Sequence, residues 1–476
     1  KPGAMEPREP LRGASDRALK AAAAILARWE AERARSPLDR VVEAEFRARR
    51  TLNASERRWA GDLVFNTVRF LRRQTWLLDA LALPITPESL AWLGACAPGT
   101  PDGTRTLLPL SFARTSALAP PEAAAAALTR LPAASEPSDF LRVTLSFPDP
   151  LAEALEAQLG PEAVAAGIAL NAPAPVTLRV NTLRVRREQA QSALPDARPT
   201  RYSPWGLELP RRVNLYELPG FRQGWYEVQE EASQLTALLA DPHPGQTVVE
   251  VGAGAGGKTL ALAALMQDRG RLVALDPSEA RLLELRKRAR RAGVHNVQAR
   301  ALPATAEGEW LADGALQWLR GRADVVFCDV PCTGSGILRR NPDAKWRLYD
   351  LAAFARQQQR ILAQAGALVA PGGSLLYVTC AFERIQDEAV VEAFLASPAG
   401  QDFTIEPVAP RLISACRRAA SLAAPQQPHP QEQADLAGLT CGPYLRSWPH
   451  RHGLDAFFAA CLRKGKKRSG DASREI

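Results

Sequence analysis

The sequence predicts an α/β protein whose largest part is a parallel, doubly wound sheet. From residue 228 onward, short apolar segments typical of strands alternate with segments of helical periodicity, the pattern of a sheet with helices on both faces. A glycine-rich turn joins the first strand of this series to its first helix. Two cysteines, Cys332 and Cys380, each follow an apolar run. We therefore expect both thiols at the carboxyl edge of the sheet, where open α/β sheets bind ligands.

The chain before this sheet is predicted to form two further regions. Apolar residues recur at helical spacing over 14–81, and weaker helical signals continue to residue 137, which indicates an all-helical domain. A helix near 151–159 then precedes an alternating segment, 177–184, that is typical of a strand. We therefore predict a small α+β domain between the helices and the large sheet.

Within the large sheet we predict five strands, separated by helices. The strands are 247–251, 271–276, 297–300, 323–330 and 374–380, and the helices are 258–266, 278–292, 347–369 and 384–396. Segment 414–442, rich in Pro, Gln and Ala, is expected to be a loose excursion, and the basic tail 464–468 is expected to be mobile. The predicted domains are 5–145 (helical), 146–225 (small α+β), 226–464 (large sheet) and a basic tail, 465–476.

Composition limits the classes of function. The formal net charge is +9 and the pI about 9.4, which favours a polyanionic partner such as nucleic acid, although an arginine-rich composition alone also produces this balance. Seven cysteines without repeated spacing indicate neither a zinc site nor a disulfide framework, so we expect reduced thiols, no metal and a cytoplasmic protein. The sequence contains no run of about 18 consecutive apolar residues, so we predict no membrane span, and no secretory signal is apparent. We expect a monomer.

The glycine-rich turn over 250–258 is predicted to bind the cofactor. Glycines let the backbone approach a ligand, and the following helix N-terminus offers free N–H groups. The spacing matches neither the dinucleotide fingerprint nor the P-loop, which favours a nucleoside without phosphates, such as S-adenosylmethionine. Asp276, at the end of the next strand, either accepts hydrogen bonds from ribose hydroxyls or caps the helix near Ser278. The predicted cofactor residues are Glu250, Gly252, Gly254, Gly256, Gly257, Lys258, Asp276 and Asp329.

Several ordered segments match motifs of a known family. They are Leu178-Arg-Val-Asn-Thr-Leu-Arg184, Val228-Gln-Glu-Glu-Ala-Ser-Gln234, Asp329-Val-Pro-Cys-Thr-Gly-Ser-Gly336, Arg340-Asn-Pro-Asp-Ala-Lys-Trp346, Tyr377-Val-Thr-Cys380 with Asp387 and Glu388, and Trp448-Pro-His-Arg-His452 with Asp455-Ala-Phe-Phe458. In these segments the chain resembles the RsmB/Sun family of RNA cytosine-5 methyltransferases. The resemblance implies a class I (Rossmann-like) S-adenosylmethionine-dependent methyltransferase domain, preceded by a small α+β RNA-binding domain and a helical NusB-like RNA-binding domain.

The same resemblance implies covalent catalysis. Cytosine C5 is a poor nucleophile, and a thiolate that adds to C6 makes C5 electron-rich. By resemblance, Cys380 is that nucleophile, Asp329 hydrogen-bonds cytosine N3, and Cys332 assists release of the C5 proton. A cysteine is otherwise most often a buried small hydrophobe, and we expect that role for Cys328.

The RNA contacts implied are Arg179, Asn181, Arg340 and Lys345, and the resemblance favours small-subunit ribosomal RNA, with transfer RNA as the alternative. The basic segment 281–291 is either a solvated helix face or a further RNA contact. The chain departs from the family pattern at three positions: Gly252 where cysteine is common, Ala255 where proline is usual, and Pro303 where an aspartate is usual. These departures keep a catalytically idle RNA-binding protein open as an alternative. A methyltransferase for small molecules or protein is a further alternative, but it would need neither the NusB-like domain nor two cysteines.

Overall fold

The computed structural model describes residues 15–105, 121–210, 213–303, 314–347, 350–423 and 435–466. The chain divides into two compact units. The first comprises Lys1–Pro173 together with Ile337–Leu348, and the second comprises Ala174–Gly336 together with Tyr349–Ile476. In the described ranges, no helix is both long enough and apolar enough to cross a membrane.

The first unit is helical. Its helices are α1 (Asp16–Glu32), α2 (Leu38–Ala48), α3 (Ala54–Arg69), α4 (Leu71–Ala80), α5 (Pro87–Cys96), α6 (Pro121–Thr129), α7 (Pro137–Asp139), α8 (Asp149–Leu159) and α9 (Ala163–Asn171), and a π-helical turn, Phe140–Thr144, follows α7. The apolar faces of α1, α3 and α5 form a core around Trp29, Leu63 and Ala91. Asn53 and Glu56 form a reciprocal capping box that fixes the start of α3.

A segment from much later in the chain completes this helical unit. Residues 337–348 follow the loop that carries Cys332, yet the Trp346 side chain packs against the helical core. The Trp346 indole N–H donates to the Val68 carbonyl at 2.6 Å. The Arg69 guanidinium donates to the Leu338 and Arg339 carbonyls at 2.9 and 3.0 Å. These bonds occupy backbone carbonyls on both partners, so the segment is an integral part of the unit.

The second unit begins with a small antiparallel sheet. Its strands are β1 (Val176–Val180), β2 (Arg198–Pro199), β3 (Gly206–Leu209) and β4 (Tyr226–Val228), in the order β2-β3-β1-β4, with helix α10 (Arg187–Ser192) after β1. Leu178, Leu207, Phe221 and Tyr226 form its core.

The large sheet follows. In the described part of the chain it contains β5 (Thr247–Val251), β6 (Arg271–Asp276), β7 (Val297–Ala301), β8 (Ala323–Asp329), β9 (Val369–Thr379), β10 (Phe403–Glu406), β11 (Thr440–Cys441), β12 (Tyr444–Arg446) and β13 (Phe458–Lys464). The order is β11-β12-β13-β9-β8-β5-β6-β7, with β10 paired to β13. Strands β5 to β9 pair in parallel, and β13 runs antiparallel to β9. The helices of this region are α11 (Glu231–Ala240), α12 (Gly257–Leu265), α13 (Glu279–Ala292), α14 (Leu351–Leu368), α15 (Glu388–Ala396), α16 (Val408–Ala423) and α17 (Pro449–His452).

The predicted fold class is confirmed, and the five predicted parallel strands are present. Two local predictions are wrong. Segment 414–442 is not wholly a loose excursion, because α16 runs to Ala423 and β11 begins at Thr440; residues 424–434 lie outside the described residues. Lys464 ends β13 rather than starting a mobile tail, and the tail beyond residue 466 lies outside the described residues. The predicted functional domains stay predictions; the compact units divide the chain after Pro173 and around 337–348.

Candidate active site

Four parallel strands end at one edge of the large sheet and bring the predicted catalytic residues together. Asp329 is the last residue of β8 and is in register with Val378 on β9, so Cys380 follows one strand end and Cys332 the other. Asp276 ends β6 at the same edge. The sheet register therefore places side chains from distant parts of the sequence side by side.

The two thiols are neighbours. Cys332 Sγ and Cys380 Sγ lie 3.4 Å apart, both side chains are partly accessible, and neither is in a disulfide. The Gly336 N–H donates to the Cys380 carbonyl at 2.9 Å, and a Cβ at position 336 would lie 1.9 Å from the Ala456 carbonyl oxygen. Only glycine permits this close approach, which ties the end of the Cys332 loop to the Cys380 backbone. Cys328 is fully buried, and burial raises its pKa.

A partly buried ion pair lies beside the thiols. Lys258 Nζ is 2.8 Å from Asp329 Oδ2. Burial lowers the pKa of Lys258, but the charge and hydrogen bond of Asp329 outweigh burial, so this pKa is raised and the ammonium is retained. The pKa of Cys380 is raised well above its usual range by its hydrogen bond with Cys332 and by burial, while the Lys258 charge acts in the opposite direction. The resting Cys380 is therefore a neutral thiol that must lose its proton before it can attack.

A buried carboxylate holds the two cysteine loops together. Glu383 accepts hydrogen bonds from the Ser335 hydroxyl at 2.6 Å, the Thr333 hydroxyl at 3.2 Å and the Phe382 N–H at 3.2 Å. Gln386 Nε2 donates to the same carboxylate at 3.1 Å. The bonded groups come from the loop after Cys332 and the loop after Cys380, so Glu383 connects them. The sequence analysis missed this residue; its signal was an acidic side chain three positions after Cys380, directly behind Ala381 and Phe382.

The glycine-rich turn fits a nucleoside cofactor. Gly252, Gly254 and Gly256 all have positive φ angles. A Cβ at position 252 would lie 2.0 Å from the Asp329 carbonyl oxygen, so this backbone requires glycine where relatives commonly have cysteine. Asp276 both orders the turn and precedes the helix: its Oδ2 accepts from the Gly254 N–H and its Oδ1 from the Ser278 N–H, each at 2.8 Å. Each carboxylate oxygen keeps a lone pair for a ribose hydroxyl.

Glu250 supplies the second acidic group of the turn. Its Oε2 accepts from the Thr259 hydroxyl at 2.5 Å, whereas Oε1 is buried and has no partner among the described residues. Burial, the largest cause, raises the pKa of Glu250 to about 7. A buried acceptor without a donor next to a glycine turn suits a bound ligand that donates a hydrogen bond. The residues present therefore fit S-adenosylmethionine.

Arg288 on α13 holds the turn at the position where relatives carry proline. Its Nη1 donates to the Ala255 carbonyl at 2.9 Å, and its Nη2 donates to Glu227 Oε2 at 2.8 Å. Proline stiffens a turn by fixing φ, whereas here a charged hydrogen bond network restrains the same position. Within the described residues, no polar contact joins Pro303 to the turn. Residues 304–313, which follow it, lie outside the described residues.

Three of the four predicted RNA contacts are buried in this structure, and their contact with RNA stays a prediction. Lys345 is 3% exposed, and its Nζ binds the carbonyls of Arg69, Leu145 and Ser146 and Oδ1 of Asn171 at 2.7–3.3 Å. Burial holds the pKa of Lys345 well below its usual range, and an amino group with at most three hydrogens and four acceptors has no donor left for a phosphate. Its role in this structure is to anchor the segment 337–348 in the helical unit.

Arg179 and Asn181 are also internal. The Asn181 amide donates to the Gly224 and Ala292 carbonyls, each at 2.9 Å, which fixes the small sheet to the end of α13. Arg179 on β1 pairs with Glu227 on β4. Its side chain is 1% exposed, and burial lowers the pKa of Arg179 to about 10. Both side chains support packing in this structure rather than a surface contact. Arg340 is half-buried and is the one member of the predicted set that keeps accessible surface.

Comparison with known proteins agrees with this geometry. The family model described as 16S rRNA methyltransferase RsmB/F matches residues 237–463, and a model described as the ferredoxin-like domain of RsmF/B-like methyltransferases matches residues 147–216. The chain is 32% identical over 330 residues to the "Probable ribosomal RNA small subunit methyltransferase B" of Synechocystis, covering 67% of each protein. It is 34% identical over 265 residues to ribosomal RNA small subunit methyltransferase B of Pseudomonas syringae, covering 54% of this chain and 57% of that protein.

A solved structure shares the fold over most of the chain. The crystal structure of PH0851 superimposes with a TM-score of 0.69 and 24% identity, and it covers 94% of this chain and 98% of that chain. The matches to several other curated relatives span about half of their length, between 51% and 57%. The glycine turn, the paired thiols and these matches lead to one assignment: the chain belongs to the RsmB/F family of S-adenosylmethionine-dependent methyltransferases.

Proposed function

We propose that this protein methylates C5 of a cytosine in small-subunit ribosomal RNA through a covalent bond between Cys380 and C6 of the base. The observation that supports the proposal most strongly is the pair of thiols 3.4 Å apart beside the Lys258–Asp329 ion pair. When bound, S-adenosylmethionine supplies an electrophilic methyl group on a sulfonium sulfur. The protein must therefore create a nucleophile at C5 and afterwards remove a proton from it.

Cys380 creates that nucleophile. Its thiol loses a proton as the S–C6 bond forms, and the ring gains one at N3. Asp329 is the group suited to move this proton, because its carboxylate acts on Cys380 electrostatically and is held in place by Lys258. The Lys258 charge stabilises the thiolate during the transfer.

Cys332 completes the reaction. Once C5 carries the methyl group, Cys332 gives its proton to the Asp329 carboxylate, and the resulting thiolate takes the C5 proton as the S–C6 bond breaks. The proton on N3 then passes to the released Cys380 thiolate, and Asp329 returns its proton to solvent. Reaction of one thiol at C6 and the other at the adjacent C5 requires two sulfur atoms a few Å apart, which is the arrangement observed. The rigid support from Glu383 keeps that separation fixed.

The RNA target rests on the family and on the names of the relatives, which describe small-subunit ribosomal RNA methyltransferases. The positive net charge is consistent with a polyanionic substrate. A base inside a helix must be turned out of its stack before C6 can reach a thiol. We therefore expect a target cytosine in a loop or bulge.

The two cysteines can be separated by trapping the adduct. With radiolabelled 16S ribosomal RNA transcript and S-adenosylmethionine, Cys332→Ala should accumulate a covalent protein–RNA species on a denaturing gel, whereas Cys380→Ala should form none and show no turnover. Cys441→Ala, which alters an exposed thiol, is the matched control and should behave as wild type. Adduct in Cys380→Ala and none in Cys332→Ala would reverse the two roles. Bisulfite sequencing of total RNA from a deletion strain then identifies the target, and loss of methylation only in transfer RNA would reject the ribosomal assignment.

A further inference from the structure

An aromatic ring in the second unit is exposed to an unusual degree. Tyr216 lies in a short 3-10 turn, Leu215–Glu217, between β3 and β4 of the small sheet. Its exposed fraction is 70%, the largest of any exposed large hydrophobic residue in the described part of the chain. An isolated exposed apolar residue needs no explanation by itself. The packing of this ring on its neighbours and the charged residues near those neighbours do need an explanation.

The ring is held on a rigid base. Tyr216 packs edge-on against Phe221, with ring centroids 5.4 Å apart and planes at 78°, and Phe221 is buried. The Arg291 guanidinium lies 4.2 Å from the centroid of the Phe221 ring. Two hydrogen bonds close the loop that leads from these rings to β4. The Trp225 N–H donates to the Gly220 carbonyl at 3.0 Å, and the Tyr226 hydroxyl donates to the Pro219 carbonyl. Stacking on this ring would therefore cost little ordering entropy.

Arginines lie around Phe221, the residue on which Tyr216 packs, because Arg291 lies over the Phe221 ring. Arg184 is exposed, and its Nε donates to the Ala292 carbonyl at 3.1 Å, which fixes the guanidinium at the end of α13. Arg222 is exposed directly after Phe221. The Glu227 carboxylate is buried and paired with both Arg288 and Arg291, and Glu217, next to Tyr216 in the chain, is exposed.

We propose that Tyr216 is a stacking platform for one base of a single-stranded RNA segment, with Arg184 and Arg222 contacting the flanking phosphates. This inference rests on the proposed function in taking RNA as the partner. Aromatic rings beside fixed guanidinium groups bind single strands because every base has a face to stack and every linkage carries a charge. Tyr216 belongs to the small sheet, whereas the thiols follow β8 and β9 of the large sheet, so the platform would bind RNA that flanks the target cytosine.

The test is a binding measurement on full-length variants. The probe is a fluorescein-labelled, unstructured 12-nucleotide RNA, measured by anisotropy over a salt series. Tyr216→Ala should weaken binding roughly 5- to 100-fold with an unchanged salt dependence, because a base stack and no phosphate contact is lost. Tyr216→Phe keeps the ring and should bind as wild type. Arg222→Gln should lower the slope of log affinity against log salt by about one. Leu283→Ala, which truncates another exposed apolar side chain, at 51% exposure, is the matched control.

The outcomes separate the platform from the proposed chemistry. Equal affinity of wild type and Tyr216→Ala would reject the platform, whatever the enzyme methylates. A weakened Tyr216→Ala in a protein that transfers no methyl group to cytosine would keep the platform and reject the proposed reaction. Photocrosslinking with a 5-bromouridine-substituted version of the probe should map to Tyr216, and a crosslink confined to other residues would also reject the assignment.

Discussion

Replacing Glu383 by alanine tests whether one buried carboxylate holds the catalytic loops in place. Four donors point at this carboxylate, and two of them have another acceptor: the Phe382 N–H also reaches Ser335 Oγ at 3.1 Å, and Gln386 Nε2 reaches Thr333 Oγ1 at 3.0 Å. The Thr333 and Ser335 hydroxyls therefore lose their acceptor when the carboxylate is removed. Each buried hydroxyl left without a partner costs about 1 to 3 kcal/mol, so we expect a loss of about 2 to 6 kcal/mol in the free energy of unfolding.

Glu383→Gln should be much milder. Oε1 contacts Thr333 Oγ1 at 3.2 Å, and an amide in that position can donate to the hydroxyl instead of accepting from it. The remaining oxygen keeps the bonds from Ser335, Phe382 and Gln386. We expect a loss of about 1 kcal/mol or less for this variant. The contrast between alanine and glutamine thus measures the hydrogen bonds rather than the charge.

Two assays together decide the question. Thermal unfolding followed by circular dichroism should show a fall in Tm of roughly 5 to 15 °C for alanine and little change for glutamine. Methyl transfer should slow by about 10- to 100-fold in the alanine variant, because the Cys332 loop loses its support. Glu392→Ala removes a glutamate from an exposed ion pair with Arg384 and is the matched control. Equal Tm values for Glu383→Ala and Glu392→Ala, or equal damage by alanine and glutamine, would refute the reasoning.

Two further predictions concern charge at the site. Lys258→Met removes the positive charge that opposes the raised pKa of Cys380. The acid limb of the pH profile for adduct formation, measured in the Cys332→Ala background, should therefore move up by about one pH unit or more. Lys20→Met, at an exposed helix position, is the charge-matched control, and an unmoved limb in Lys258→Met would contradict the role of Lys258. Glu250 has a pKa raised from 4.5 to about 7 in the folded protein, so its stabilising contribution is present below pH 4.5 and is lost as the pH rises through 7. Glu250→Gln should therefore gain about 2 to 3 kcal/mol relative to wild type between pH 5 and pH 8 in urea unfolding, and a difference that does not vary with pH would disprove the shift.

The sequence was most informative about the edge of the sheet. Strand ends in a parallel sheet are ordered by topology, so apolar runs that end at Asp329 and just before Cys380 were sufficient to predict that the thiols meet. The pairing of Lys258 with Asp329 was not predicted, although both residues were assigned to the site. Their separation of 71 positions carries no pattern, and only the register of β5 on β8 brings them together.

The burial of three predicted RNA contacts has a physical cause that the sequence does not report. Lysine, arginine and asparagine are usually exposed in proteins, but Lys345, Arg179 and Asn181 are buried here. Each is instead enclosed by groups from distant segments: Lys345 by carbonyls from two helical regions, and Asn181 by carbonyls 43 and 111 positions away. Burial of a polar side chain depends on such partners, and no local periodicity reports them.

The segment 337–348 also bears on how this protein can be divided. A gene fragment cut at the sequence boundary near Pro173 would yield a methyltransferase part that carries Lys345 and Trp346 without the carbonyls they bind, and a helical part with an open core. The helical unit therefore contains a segment that lies, in sequence, between two parts of the second unit. A helical unit expressed without this segment would lose bonds to residues 269 and 278 positions away, so we expect it to be less stable than the same unit in the whole chain.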